Sequence, residues 1–139
     1  MKRENIYVGM RVKVKKSSPL TNAVGKYATV IGAPYDGYNG VYVPCLVDGD
    51  DYVWTFEDCN IRVSDEKPVV GDRVVMLLKK PYEFFESGAS GIIKSFDGSG
   101  DLLVTFDQGN YKAQIIGHWY VQKGLGHKYA IVRDVESVK

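Results

Sequence analysis

One block of pattern occurs twice in this chain, and that repetition limits what it can fold into more than any other feature. The first copy opens Val8-Gly9-Met10-Arg11-Val12 and the second Val70-Gly71-Asp72-Arg73-Val74, so that Gly9 and Gly71 stand 62 positions apart. A segment containing Lys and Pro follows each opening, Lys15-Lys16-Ser17-Ser18-Pro19 in one and Lys79-Lys80-Pro81 in the other. Each copy then restarts at a glycine, in Gly25-Lys26-Tyr27-Ala28-Thr29-Val30-Ile31 and Gly88-Ala89-Ser90-Gly91-Ile92-Ile93. A turn rich in Gly, Asp and Asn comes next, then a valine- or leucine-rich strand (Val41–Val47 or Leu102–Phe106). Both copies turn again at Asp48-Gly49 or Asp107-Gln108-Gly109 into a tyrosine-bearing segment. Two copies at this period are a duplication, since a solenoid needs at least three stacked units.

The pattern inside each copy is that of strands. Apolar residues alternate with polar ones over short runs, turn signals recur every 8–12 residues, and no window shows the apolar spacing of an amphipathic helix. With 139 residues, each copy has room for about five strands of ordinary length. The expected fold is all-β: two tandem five-stranded barrels packed together, the first over 1–66 and the second over 67–139 with a C-terminal strand. Ser64-Asp65-Glu66-Lys67-Pro68 reads as a short linker. On the first opening strand Met10, Val12 and Val14 alternate with Arg11, Lys13 and Lys15, which predicts one buried and one basic face. On the second, Val74, Met76 and Leu78 alternate with Arg73, Val75 and Leu77, so both faces are mainly apolar. Its outer face calls for a cover, either the other barrel or Tyr129-Ala130-Ile131-Val132.

The residues Gly9-Met10-Arg11-Val12-Lys13-Val14, a loop, and Gly25-Lys26-Tyr27-Ala28-Thr29-Val30 resemble the KOW/Tudor group of small Src-homology-3-like barrels. The second copy repeats the likeness in Gly71-Asp72-Arg73-Val74 and Gly88-Ala89-Ser90-Gly91-Ile92, and the two stretches together cover about residues 6–63 and 69–122. The opening Ile6–Val14 is also similar to that of a phage-encoded KOW protein that modulates transcription. What the resemblance implies is a nucleic-acid or RNA polymerase partner if the KOW members are the guide. Tudor relatives imply instead an aromatic cage for methylated side chains. The second copy lacks the run of basic residues on its opening strand, which weakens the case for an equivalent site there. A barrel of this kind hosts unrelated functions, so the residues must carry the argument.

Charge is where they speak most clearly. Lys and Arg total 18 against 17 Asp and Glu, which excludes binding by bulk positive charge. The distribution is nevertheless polarised. Residues 1–26 hold seven cations against Glu4 alone, a balance of +6, while residues 27–66 hold Arg62 against eight acids, a balance of −7. Phosphate binding needs cations gathered on one surface. Arg11, Lys13, Lys15, Lys16 and Lys26 are therefore the predicted phosphate contacts, with Lys79, Lys80 and Tyr82 as an extension in which a ring interleaves with lysines. The competing reading of the first cluster is a solvated strand face whose lysines guard an edge.

A second candidate is aromatic. Tyr35, Tyr38, Tyr42, Tyr52 and Trp54 supply the rings a cage for a cation would need, although strands of small barrels are rich in half-buried Tyr and Trp in any case. Catalysis has little support. His118 and His127 are the only histidines, no nucleophile–base spacing stands out, and Cys45 within Val43-Pro44-Cys45-Leu46-Val47 reads as buried. No metal or cofactor is expected. Cys45 and Cys59 are the only cysteines, no apolar run is long enough to span a membrane, and no secretory signal is visible. The expectation is a non-enzymatic cytoplasmic protein, in host cytoplasm if viral, that binds nucleic acid without sequence preference. Double-stranded DNA is favoured, RNA is possible, and the role is transcription- or nucleoid-related. The alternative is a protein-interaction module that takes a peptide, a methylated side chain or a polymerase on its aromatic residues.

Overall fold

The computed structural model describes residues 3–50, 52–77, 88–107, 118–121 and 129–134, with backbone only for 118–121. Among the described residues the secondary structure is all-β, with only three-residue 3-10 turns besides strands. The chain divides into two compact units, Met1–Glu66 with Val132–Lys139, and Lys67–Ile131.

The first unit holds β1 (Arg11–Val14), β2 (Tyr27–Val30), β3 (Tyr35–Asp36), β4 (Val41–Val47), β5 (Val53–Glu57) and β6 (Ile61–Val63). They form one antiparallel sheet. β2 and β3 lie along the same side of β4, β5 lies on its other side, and β1 joins β2 to β6. Alternation decides which side chains go inward: Val12 and Val14 of β1, Val43, Cys45 and Val47 of β4, and Phe56 of β5 are almost wholly buried. Each fully buried apolar side chain of this size contributes about 1.5–3 kcal/mol.

The second sheet holds β7 (Arg73–Met76), β8 (Ser90–Phe96), β9 (Leu102–Phe106), β10 (His118–Val121) and β11 (Tyr129–Val132). Their order is β10-β9-β8-β7-β11, strand for strand the order β5-β4-β2-β1-β6 of the first sheet. Val74, Met76, Ile93, Leu102, Val104 and Phe106 make its core. Val75 and Leu77 are buried as well, so the second face of this opening strand is covered.

The repetition reaches individual backbone bonds. Gly9 N–H donates to the Val30 carbonyl and Gly71 N–H to that of Ile93, while Gly25 N–H donates to Val14 and Gly88 N–H to Met76. Arg11 faces Thr29 as Arg73 faces Ile92. Trp54 faces Cys45 as Trp119 faces Val104, so the two tryptophans occupy the same place in the two sheets.

Two expectations about chain organisation change. Ser64–Glu66 is no free linker, because Ser64 N–H donates to the Arg11 carbonyl (3.2 Å) and Glu66 reaches back to the Arg11 side chain. The second unit also does not extend to the end of the chain. Val132 bridges Met10, and Arg133 N–H donates to the Gly9 carbonyl at 2.7 Å, which places these residues with the first unit. No helix among the described residues is long and apolar enough to cross a membrane.

Candidate nucleic-acid interface

The outer face of β2-β1-β6 carries the predicted basic strand. Rows across this face follow from the register: Thr29 beside Arg11, and Tyr27 beside Lys13 beside Arg62. Arg11, Lys13, Lys15, Lys16 and Lys26 were expected to present their charge together. Their environments divide them instead.

Arg11 is only 5% exposed. Its guanidinium meets Asp48 through two parallel bonds, Nη1 to Oδ1 at 2.8 Å and Nη2 to Oδ2 at 2.6 Å. It meets Glu66 through two more, Nε to Oε1 and Nη2 to Oε2, both 2.9 Å, and Nη1 also donates to Thr29 Oγ1 at 3.0 Å. The planar fork of Arg suits this bidentate pairing. The bond to Asp48 raises its pKa further against the opposing effect of burial, and the bond from Arg11 holds the Glu66 carboxyl below the usual carboxylate range. With every direction of its fork engaged and its surface covered, Arg11 is a structural centre and does not share an exposed face with the lysines.

Lys13 is intermediate. Its ammonium lies 3.5 Å from Asp65 and 5.3 Å from the centre of the Tyr27 ring. Asp65 also accepts from the Tyr27 hydroxyl at 2.5 Å and from Arg62 at 3.1 Å. Those contacts, led by the Tyr27 hydroxyl, hold its carboxyl down at about 2. Segment 64–66 thus lays two carboxylates over the strand that the sequence presents as basic.

Lys15, Lys16 and Lys26 stand beyond this cover. Val14 N–H donates to the Lys26 carbonyl (3.0 Å) and Lys15 N–H to that of Asn60 (2.9 Å), so the end of β1 and the start of β2 meet where the loop departs. All three lysines are exposed, and among the described residues no acid pairs with any of them. Lys79, Lys80 and Tyr82 lie outside the described residues.

The aromatic set is divided by register. Tyr35 and Tyr42 are cross-strand partners, with ring centres 6.0 Å apart at 34°. The Tyr42 ring lies so close over Gly37 that a Cβ there would stand 1.9 Å from it. Trp54 pairs with Cys45, three residues along β4 from Tyr42, so Tyr42 and Trp54 are on opposite faces of the sheet. The Trp54 indole N–H donates to Asp50 at 2.8 Å. Tyr38 is 98% exposed and Tyr52 71%. These five rings do not line one box.

Cys45 is buried, and burial pushes its thiol up to about 12. His118 faces Thr105 in the β9–β10 register, and His127 lies outside the described residues. Among the described residues no three His, Cys, Asp or Glu side chains group as metal ligands.

Sequence reasoning missed the pairing of each opening arginine with an aspartate of a later turn. Arg11 pairs with Asp48, and Arg73 pairs with Asp107, which also accepts from Ser90 Oγ at 2.8 Å. The signal was present: Arg opens both copies and Asp heads both turns. No protein-family pattern and no curated protein matches this sequence.

Proposed function

We propose that this chain is a non-enzymatic nucleic-acid-binding protein of the KOW/Tudor type, acting in the cytoplasm on transcription or nucleoid organisation. In this reading each sheet curls into a partly open Src-homology-3-like barrel, which agrees with the repeated strand order. The first unit binds the phosphate backbone of double-stranded DNA through Lys15, Lys16 and Lys26. The observation that carries the reading is that these three are exposed, without an acidic partner among the described residues, and set at one end of the β1–β2 pair. Lys13 contributes a weaker field because Asp65 and Tyr27 already hold it. Such contacts position the protein and read no sequence.

Three phosphate contacts imply a shallow but definite salt dependence. At a slope of about −0.9 per contact, affinity falls about 40-fold between about 50 and 200 mM salt. A gel shift on mixed-sequence double-stranded DNA checks this directly. Binding at the lower salt that collapses at the higher, and that is lost when Lys15, Lys16 and Lys26 are changed to Glu, is the expected result. Equal retention by that triple variant would remove the proposal.

A further inference from the structure

Among the described residues β5 is one outer margin of the first sheet, and alternate backbone groups along it are aimed outward. The Pro44 carbonyl accepts from Ile31 N–H at 3.0 Å, so the polar backbone of Pro44 points toward β2. Its partner across the β4–β5 ladder is Thr55, which therefore turns its own N–H and C=O away from β4. By alternation Val53 and Glu57 turn the same way, whereas Trp54 and Phe56 bond inward to Cys45 and Val43. Among the described residues β5 pairs with β4 alone. The side chains at this margin are not the lysines and prolines that usually blunt an edge: Val53 is 55% exposed, with Thr55 exposed beside it.

Charge decides what fits there. Glu57 lies on β5 and Asp50 shortly before it, and from Asp48 to Ile61 the sequence carries no Lys or Arg. Two such margins repel one another, so pairing between copies is disfavoured, and a strand bearing cations is favoured. We infer that β5 is a docking edge for an extended, basic protein segment, which adds to the sheet as a further strand through the outward N–H and C=O groups of Val53 and Thr55 and the N–H of Glu57. Backbone bonds supply the register and cations on the incoming strand answer the acids, as in other cases of strand addition. This inference is independent of the phosphate-binding reading, since it uses none of those lysines, lies on β5 and not at the end of the β1–β2 pair, and calls for a partner of the opposite charge.

The test uses the whole chain and a fluorescent nine-residue peptide of alternating Lys and Val, followed by anisotropy. Expected are saturable binding, a loss of at least tenfold when the peptide is N-methylated throughout, and no binding of the Glu–Val counterpart. Thr55→Pro removes one outward N–H and leaves the β4–β5 ladder intact, and is expected to weaken binding at least tenfold. Hydrogen exchange provides a readout that needs no variant: the amides of Val53, Thr55 and Glu57 exchange fast in the free protein and slow down with peptide, while those of Trp54 and Phe56 are slow throughout. Equal binding of the N-methylated or the acidic peptide overturns the inference, as does absence of peptide-dependent protection at residues 53, 55 and 57. A dimer of the chain that protects the same three amides also overturns it.

Discussion

Arg11 shows how far a side chain's neighbours can redirect it. By alternation it belongs to the basic face, yet two carboxylates and a threonine hydroxyl surround its guanidinium. Its counterpart Arg73 makes the corresponding pair with Asp107 at 42% side-chain exposure. The duplication therefore contains one ion pair in two dielectric settings, and the two are expected to differ in weight. Arg11→Ala leaves Asp48 and Glu66 without their cation and is expected to cost about 2–3 kcal/mol, somewhat below a fully buried pair because Asp48 keeps contact with water. Arg73→Ala is expected to cost no more than about 1 kcal/mol, as exposed pairs do. Urea unfolding of the two variants beside the parent measures the contrast, and equal losses would show that burial does not set the weight of the pair.

Among elements, segment 64–66 departs most from its sequence reading. Ser, Asp, Glu, Lys and Pro in a row have the composition of a linker, and composition is all that a local window offers. Whether Asp65 and Glu66 meet solvent or a cation depends on the approach of Lys13 and Arg11, more than fifty residues earlier. Strand placement is different: glycine positions and alternation are local, and they mark where the strands of both sheets lie. The carboxylates of this segment also give the fold an acid limit. Asp65 is held down at about 2 and Glu66 is lowered, so both groups bind protons more weakly in the folded chain than in the unfolded one. Their contribution is fully present above about pH 5 and is lost as pH falls toward about 2. Unfolding free energy measured across that range is expected to decline, and to decline less steeply in Tyr27→Phe, which removes the largest cause of the Asp65 shift. An unchanged slope in that variant would assign the acid limit to other groups.

For the molecule as a whole, the two units share one topology but not one environment, and matched positions bring this out. Gly9 and Gly71 both adopt positive φ, 92° and 94°. A Cβ at Gly71 meets nothing within 4 Å, whereas one at Gly9 would stand 2.6 Å from the Arg133 carbonyl oxygen. Gly71→Ala is thus expected to cost only the conformational strain, about 1–2 kcal/mol, and Gly9→Ala distinctly more; thermal unfolding of the pair ranks them. The duplication is legible in the sequence because repeated glycines and valines mark repeated backbone. The partners of Lys13 and Arg11 and the split of Tyr42 from Trp54 were hidden because they depend on which strands meet and in what register.

The pairing of Gly9 and Met10 with Arg133 and Val132 carries a consequence for how the chain is made. A ribosome delivers these partners more than 120 residues after Gly9 and Met10, so the first unit emerges with part of its opening segment unpaired. At ordinary elongation rates the interval between Glu66 and Arg133 is roughly 3–13 s. Throughout that time Gly9 and Met10 wait for a partner that has not yet been synthesised, and the unit begun first is completed only after the residues of the second have been made.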